Sequence, residues 1–276
     1  MRYYLETNSL RTLSSRLESL NENVFTSALS IFELISGIKD QDFLIRKSVI
    51  KNIFKSGIEI IWLLPEEITV NAFPGLEFQE DRIIALKKLC QYLIDSHSMK
   101  DFLRKGSKGK YNLDFFKNLD KQYSNRFLES ITKGNQNLKQ IIADDNEEYL
   151  SNFSKQYIKS LPYKHSLNQS ITLKAIAGNL KDSLELSSGE LIDEQKIYEN
   201  YNGNINIFIS AYSLFTAIKN AEFNTPAKND LIDLYHLIYL ANNEDHFIIT
   251  DDKMIPKITT QVKKISEFIE TIINGS

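Results

Sequence analysis

The sequence contains very little cysteine and histidine. Among its 276 residues there is a single cysteine, Cys90, and the four histidines are scattered along the chain. One cysteine cannot form an intramolecular disulfide, and such low usage is typical of a protein from a reducing compartment. Because no Cys and His residues cluster with ligand spacing, the sequence excludes a zinc site of the familiar kind.

Long apolar runs are missing as well. The most apolar stretch without a charged residue covers residues 207–218, and it is shorter than the about 20 residues that an α-helix needs to cross a bilayer. The first residues of the chain lack the pattern of a signal peptide. We therefore expect a cytoplasmic protein that makes no use of a membrane.

Neither sign of charge dominates the composition. The net charge is −3, with 42% hydrophobic and 25% charged residues, which are ordinary values for a globular protein. A chain of this length can bury a sizeable core, as one large domain or as two smaller ones. Since the small excess of charge is acidic, a nucleic-acid partner requires a local basic patch.

Five short segments are predicted to form β-strands, and the apolar runs among them have the composition of buried strands. Continuous apolar runs of this kind are typical of strands covered on both faces, as in a parallel sheet. Apolar residues at helical spacing occupy much of the remaining sequence. The sequence therefore predicts an α/β fold in which helices cover both faces of a parallel sheet. The predicted strands are residues 3–5, 24–27, 58–64, 247–249 and 261–265.

Acidic residues stand at corresponding positions around these strands. One follows the first strand, one lies in the helix after the second, one begins the helix before the fourth, and one follows the fourth. Because the carboxyl ends of parallel strands share one edge of a sheet, these side chains can meet although they are far apart in sequence. The four principal acids are Glu6, Glu33, Asp233 and Asp252, with Asp230 and Asp251 as auxiliary candidates.

A cluster of four carboxylates needs a cation. Like charges raise one another's pKa unless a positive charge lies among them. Oxygen ligands without cysteine or clustered histidine select hard ions such as Mg²⁺ or Mn²⁺. Such ions activate water and stabilise the leaving oxygen when a phosphodiester is hydrolysed. Metal-assisted hydrolysis of phosphodiester bonds is therefore the reaction class that this pattern favours.

The same residues also have purely structural interpretations. Thr7 or Asn8 is expected to cap the first helix. Ser30 and Glu33 have the spacing of a capping box, in which the glutamate accepts a hydrogen bond from a backbone N–H group. Asp230 suits the first turn of a helix, where it interacts favourably with the helix dipole.

Two further positions next to the acids leave alternatives open. His236 lies three residues after Asp233, on the same face of a helix. It orients a carboxylate or the scissile phosphate, or it is a core histidine satisfied by a hydrogen bond. Thr250 and Asp252 belong to a metal site or cap a turn after the fourth strand.

One segment is strongly basic. Residues 100–110 contain five basic residues against one aspartate, together with two glycines, so we predict a mobile loop there. Lysine and arginine side chains of this segment can hold phosphates beside aromatic residues that stack on bases. The alternative is an ordinary solvated run of charge. The candidate nucleic-acid-binding residues are Arg104, Lys105, Lys108 and Lys110.

Four short motifs, in order along the chain, resemble those of the PIN domain nucleases. Leu5-Glu6-Thr7-Asn8 resembles the Leu-Asp-Thr-Asn motif at the end of the family's first strand. Thr26-Ser27 followed by Glu33 resembles the Ser/Thr step before a helical glutamate. Asp233-Leu-Tyr-His236-Leu-Ile-Tyr239 resembles an Asp-x-x-His-x-x-Tyr variant, and Thr250-Asp251-Asp252 resembles the Thr-x-Asp step after an apolar strand.

The resemblance implies a fold and an activity. It implies a three-layer α/β/α sandwich with a short central parallel sheet, built from residues 1–64 and 226–276. Residues 65–225 are then a helical insertion that forms a lid or a second subdomain. The implied activity is that of a metal-dependent endoribonuclease, often a bacterial toxin or defence effector. Its partners are an RNA substrate, with single-stranded DNA as a second candidate, and a protein such as an antitoxin.

The resemblance also implies roles for individual residues. Four carboxylates would be catalytic and would bind Mg²⁺ or Mn²⁺, namely Glu6, Glu33, Asp233 and Asp252. Three neighbours would orient them, namely Asn8, His236 and Thr250. Glu6 stands where the family has aspartate, and its carboxylate is one methylene further from the backbone. The alternative hypothesis is therefore a PIN-like scaffold that binds RNA or protein and is catalytically weak or inactive.

Overall fold

The structure is a computed structural model. It describes residues 1–20, 23–76, 81–142, 165–189, 191–222, 224–227 and 229–273, together with residues 152, 155–157 and 159–160. None of the helices in these ranges combines the length and the apolarity needed to span a bilayer.

A five-stranded parallel sheet forms the centre of the α/β fold. The strand order is β3-β2-β1-β4-β5, and each neighbouring pair is parallel. The prediction of an α/β fold with a parallel sheet is therefore confirmed. The strands are β1 (Arg2–Leu5), β2 (Val24–Ser27), β3 (Glu59–Ile61), β4 (His246–Ile249) and β5 (Val262–Lys263).

The third strand is shorter than the predicted 58–64. It ends at Ile61, and Leu64 is already the N-cap of the helix that begins at Pro65. Proline suits the first helical position because its missing N–H group would have no partner there, and its fixed φ angle is already helical. The chain therefore leaves the sheet three residues earlier than its apolar run predicts.

The register of the sheet aligns the ends of its central strands. Leu5, the last residue of β1, pairs with Ile249, the last residue of β4. On the other side of β1, Tyr4 pairs with Phe25 of β2. The residues that follow β1 and β4 therefore leave the sheet side by side, at its carboxyl edge.

Helices account for most of the described chain. Those before residue 65 are α1 (Thr7–Leu13), α2 (Ala28–Ser36) and α3 (Phe43–Ser56), with 3₁₀ turns at Ser14–Ser19 and Asp40–Asp42. Residues 65–225 contain α4 (Pro65–Asn71), α5 (Arg82–Ile94), α6 (Met99–Gly106), α7 (Leu113–Ile142), α8 (His165–Ser188), α9 (Glu194–Glu199) and α10 (Asn206–Ala221). After them come α11 (Asp230–Tyr235), a 3₁₀ turn (His236–Leu240), α12 (Ile255–Ile258), α13 (Ile265–Phe268) and a π-helical turn (Ile269–Ile273).

The hydrophobic core extends from the sheet into residues 65–225. Phe32 of α2 is fully buried, and its ring lies 6.0 Å from the rings of both Phe116 and Tyr123 in α7. In α10, Phe208 and Phe215 are buried as well. The apolar stretch 207–218 therefore belongs mainly to the core. The predicted helical content of residues 143–151 and 161–164 lies outside the described residues.

Candidate functional site

Glu6 connects the end of β1 to the start of α1. It is 5% exposed and is the N-cap of α1, where its Oε2 accepts a hydrogen bond from the N–H of Asn8 at 2.6 Å and its Oε1 from the N–H of Ser9 at 3.2 Å. The prediction that Thr7 or Asn8 caps this helix was wrong. An N-cap residue keeps an extended conformation, and because β1 ends at Leu5, the last extended residue is Glu6.

Glu33 is held between two segments that are distant in sequence. Its Oε2 accepts hydrogen bonds from the hydroxyl of Thr7 and from Nε2 of His236, the latter at 2.8 Å. The capping-box interpretation of Ser30 and Glu33 was wrong, because α2 begins at Ala28 and its N-cap is Ser27. Glu33 thus lies beyond the first turn, and its carboxylate faces the carboxyl edge of the sheet with its side chain 22% exposed.

His236 connects Glu33 to the buried face of the sheet. It is 2% exposed, and its Nδ1 lies 2.6 Å from the hydroxyl of Tyr4, which also lies 2.7 Å from Oγ of Ser27. A carboxylate can only accept a hydrogen bond, so Nε2 of His236 carries the proton. Both nitrogens of the imidazole therefore have a partner, and the ring orientation is fixed.

Burial and charge shift the pKa of His236 in opposite directions. Burial alone would lower the pKa, but the carboxylates of Glu33, Glu6 and Asp233 outweigh it, so the pKa lies above its ordinary value. Burial also raises the pKa of Tyr4 far above its ordinary value, which keeps its hydroxyl protonated. The surrounding carboxylates therefore favour the protonated form of His236, which lies next to a neutral tyrosine.

The pKa of Asp233 shows that the four predicted acids act on one another. Burial raises this pKa from 3.8 to about 7, and the charges of Glu33, Asp252 and Glu6 add to the effect while His236 opposes it. Burial and the charge of Glu33 likewise raise the pKa of Glu6, against His236 and the two backbone N–H groups. We call Glu6, Glu33, Asp233 and Asp252 the carboxylate edge.

The turn after β4 places Asp252 rather than its neighbour on this edge. The Oδ1 of Asp252 accepts hydrogen bonds from the N–H groups of Met254 at 2.6 Å and Ile255 at 3.1 Å, and Oγ1 of the buried Thr250 accepts one from the N–H of Asp252 at 3.0 Å. Asp251 is exposed, and its Oδ1 accepts from the N–H of Ile265 at 3.2 Å. Thr250 therefore orients the backbone that presents Asp252.

Two other predicted residues have different surroundings. Asp230 is the first residue of α11, and its Oδ2 accepts a hydrogen bond from the N–H of Ala227 at 2.8 Å and lies 3.4 Å from Nζ of Lys219. Asn8 contributes its backbone N–H to Glu6, whereas the residue itself is exposed. The structure thus gives Asp230 a role in fixing the start of α11 and gives Asn8 a backbone role.

The predicted mobile loop at residues 100–110 was wrong for most of its length. Residues Met99–Gly106 form α6, whose N-cap Ser98 accepts a hydrogen bond from the N–H of Asp101 at 3.2 Å. Asp101 in turn accepts from Arg104 and Lys105, both at 2.9 Å, and these bonds lower its pKa. The other two predicted basic residues, Lys108 and Lys110, are exposed in the turn after α6.

Two residues that hold the carboxylate edge in place were not among the predicted site residues. Thr7, predicted only as a helix cap, donates to Glu33. Tyr4 is fully buried in β1 and contacts His236. A signal for Tyr4 was present, since a buried tyrosine needs a hydrogen-bond partner for its hydroxyl. The identity of that partner depends on a pairing across almost the entire sequence.

The chemistry of the carboxylate edge fits a hard divalent cation. Its donors are four carboxylates, with one imidazole beside them, and oxygen donors of this type suit Mg²⁺ or Mn²⁺. Burial is the main cause of the raised pKa values of Asp233 and Glu6, and the neighbouring carboxylates raise them further while His236 lowers them. In the conformation described, no three or more His, Cys, Asp or Glu side chains within the described ranges lie close enough together to hold an ion.

Backbone hydrogen bonds limit how two of the acids can bind an ion. Both oxygens of Glu6 and one oxygen of Asp252 already accept bonds from N–H groups. A carboxylate oxygen can accept a further partner through its second lone pair.

Comparisons of the chain with protein-family models, with curated proteins and with solved structures found no match.

Proposed function

We propose that this chain is a metal-dependent endoribonuclease that hydrolyses phosphodiester bonds at the carboxylate edge, on a PIN-like three-layer α/β/α sandwich. The observation that supports the proposal is the placement of four acids from four segments around β1 and β4, near enough for the charges of the other three to influence the pKa of Asp233, with Glu33 held between Thr7 and His236. Capping alone does not account for this arrangement, because Glu33 bonds no backbone N–H group of its own helix start.

The residues of the edge divide the work. Glu33, Asp233, Glu6 and Asp252 would hold one or two Mg²⁺ or Mn²⁺ ions. Such an ion, when bound, lowers the pKa of a bound water and stabilises the leaving oxygen. Thr7 and His236 fix the carboxylate of Glu33, and Tyr4 fixes the ring of His236. The preference for RNA, with single-stranded DNA as second substrate, rests on the resemblance to the PIN family, as does an antitoxin-like protein partner.

Cleavage of a pool of labelled RNAs and single-stranded DNA tests the proposal. Purified protein is assayed with Mn²⁺, with Mg²⁺ and with EDTA, beside Glu33→Gln and a control, Glu18→Gln. Glu18 is an exposed glutamate paired with Lys55. We expect metal-dependent cleavage by the wild type and by the control, and its loss in Glu33→Gln. Cleavage that persists in EDTA or in Glu33→Gln would contradict the proposal.

A second candidate is a PIN-like scaffold that binds RNA or protein without turnover. The observation that favours it is the use of both carboxylate oxygens of Glu6 in capping α1. The variant Glu6→Asp separates the two functions, since it restores the shorter side chain that the family has. Equal or faster cleavage by this variant supports the nuclease, whereas RNA retention without cleavage in any metal supports the scaffold.

A further inference from the structure

A basic depression lies on the surface formed by α5 and the turn between α6 and α7. Its volume is about 230 Å³, which is below the roughly 300–1,000 Å³ typical of small-molecule pockets. Lys88 and Tyr92 come from α5, and Lys108, Lys110 and Tyr111 come from the turn. We call these five residues the basic-aromatic pocket.

Two of the three lysines of this pocket lie over its tyrosine rings. Nζ of Lys110 lies 4.7 Å from the centroid of the Tyr111 ring, and Nζ of Lys88 lies 5.7 Å from the centroid of the Tyr92 ring. All three lysines are exposed, whereas both tyrosines are half-buried. The rings are therefore fixed surfaces, and the ammonium groups are able to move from a ring to a ligand.

Positive charge prevails among the residues that line the depression. Three lysines face one acid, Asp81. By contrast, Arg104 and Lys105 of the preceding helix are bound to Asp101. Flat aromatic surfaces beside unneutralised lysines are the combination that binds single-stranded nucleic acids, because bases stack on the rings and phosphates contact the ammonium groups.

A chain of side-chain contacts runs from the pocket to the two helices that carry Glu33 and Asp233. The ring of Tyr111 lies 4.9 Å from that of Phe115, and the guanidinium of Arg82 lies 5.6 Å from the centroid of Phe115. Arg82 lies 3.6 Å from Glu66, which accepts a hydrogen bond from the hydroxyl of Tyr123.

Tyr123 completes this connection in α7. Its ring lies 6.0 Å from Phe32, the neighbour of Glu33, and 5.6 Å from Tyr235 in α11, the helix that carries Asp233. Residues 65–225 therefore contact both helices that supply acids to the edge, and they also carry the pocket.

We propose that the basic-aromatic pocket binds one base and the flanking phosphates of a single-stranded nucleic acid whose chain continues to the carboxylate edge. Binding at the pocket stands on the residues above, whereas the continuation to the edge rests on the proposed nuclease function. The pocket is a subsite that holds the substrate strand, and it reads no sequence by hydrogen bonds, because stacking accepts any base.

Fluorescence anisotropy of a short labelled single-stranded RNA, measured in EDTA, tests the pocket without cleavage. Tyr111→Ala removes a stacking surface, and because one stacked base contributes about 1–3 kcal/mol, we expect affinity to fall by roughly 5- to 150-fold. Lys88→Ala combined with Lys110→Ala should lower the slope of log affinity against log salt by about 1.4, at roughly 0.7 for each phosphate that the variant no longer neutralises.

Lys87→Ala is the matched control. Lys87 precedes Lys88 in α5, but its Nζ lies 4.5 Å over the ring of Trp62 and it does not line the depression. We expect it to bind RNA like the wild type. Tyr111→Phe, which keeps the ring, should also bind like the wild type, and it separates lost stacking from lost folding if Tyr111→Ala is unstable.

Three results would overturn the pocket. They are no retention of RNA by the wild type at low salt, equal affinity of the pocket variants and Lys87→Ala, and equally tight binding of inorganic polyphosphate with no effect of Tyr111→Ala. Similar retention of DNA of the same sequence supports the proposal, because the pocket contacts bases and phosphates. If RNA retention depends on the pocket but no metal supports cleavage, the proposed nuclease function is contradicted and the proposed binding at the pocket is supported.

Discussion

Residues of the carboxylate edge come from four segments spread over nearly the whole chain, whereas the basic-aromatic pocket is contributed by α5 and a turn that follows it closely. Glu6 is buried and the other three acids are partly buried, and Glu33 is held by hydrogen bonds from Thr7 and His236. The lysines of the pocket are exposed, and two of them lie over tyrosine rings.

Under the two proposals, this difference would separate the chemistry from the binding of the substrate. A reacting group must be held in a defined geometry, which buried neighbours with satisfied hydrogen bonds provide. A surface that grips any sequence of a flexible strand needs charge and flat rings, and it tolerates side-chain movement. The sheet supplies the first requirement, and the helices of residues 65–225 supply the second.

The largest effect is expected for a variant that disables the carboxylate edge and leaves the basic-aromatic pocket unchanged. Glu33→Gln keeps the shape of the side chain but loses the charge that faces His236, so we expect cleavage to fall by about 100-fold or more. RNA affinity in EDTA should stay at the wild-type value, since the pocket is untouched. Single-turnover kinetics measure the cleavage rate of this variant, and anisotropy measures its RNA affinity. Loss of both cleavage and affinity would show that the two regions do not act separately.

The next effect concerns the stability of the edge without metal. Because folded Asp233 keeps its proton up to about pH 7 whereas the unfolded chain releases it near pH 4, raising the pH across this interval favours unfolding. Asp233→Asn removes that penalty. In EDTA at pH 8 we expect its Tm to rise by a few degrees above the wild type, at roughly 2–4 °C per kcal/mol, with little difference at pH 4.

We expect a bound metal ion to make the wild type more stable than Asp233→Asn at pH 8. Mn²⁺ should raise the Tm of the wild type at pH 8 and have no effect on Asp233→Asn. Thermal denaturation with and without Mn²⁺ at both pH values measures the four combinations. Two outcomes would contradict this role of Asp233. One is a lower Tm for Asp233→Asn than for the wild type in EDTA at pH 8, and the other is an equal rise in Tm with Mn²⁺ for both proteins.

A smaller effect tests how far the buried support of the edge extends. Tyr4→Phe removes the hydroxyl next to Nδ1 of His236, and losses in the outer shell of metal sites typically cost 10–100-fold in activity or metal affinity. We expect about a tenfold fall in cleavage. Tyr3→Phe is the control, because Tyr3 is the preceding residue of the same strand, with its side chain on the other face of the sheet. Equal activity of the two variants would contradict the role of Tyr4.

The smallest effect sharpens the boundary of the pocket. Arg104 is 77% exposed and bound to Asp101 outside the depression, so Arg104→Gln should change RNA affinity by less than about twofold. Lys110→Gln removes the same charge from the pocket and should weaken binding several-fold and reduce its salt dependence. A larger loss for Arg104→Gln would place the nucleic-acid surface on α6 instead.

The strands, and the acids that follow them, could be predicted because their signals are local. Apolar runs and the following acids are visible in a few residues, as at Glu6 and Asp252. The partners of Glu33 were not predictable in this way. Its bonds to Thr7 and His236 depend on where α2 begins, and the helix starts at Ala28 because Ser27 rather than Ser30 is its cap.

The basic segment shows the opposite error. Two glycines and many charges predicted a loop at residues 100–110, but Ser98 caps a helix and the buried Phe102 packs its inner face. Asp101 forms ion pairs with Arg104 and Lys105, two of the four predicted nucleic-acid-binding residues. Lys88 and Tyr92 were missed, because a helix with ordinary spacing carries no sign that its outer face adjoins a turn some twenty residues later.

The pairing of β1 with β4 also sets the order in which the carboxylate edge is assembled. Synthesis proceeds from the N-terminus, so Glu6 and Glu33 leave the ribosome long before Asp233 and Asp252. The central strand keeps one unpaired side until residues 246–249 arrive, and such long-range parallel pairing forms slowly. A nascent chain therefore lacks half of the carboxylate edge until residues 233–252 have been synthesised and β4 has paired with β1.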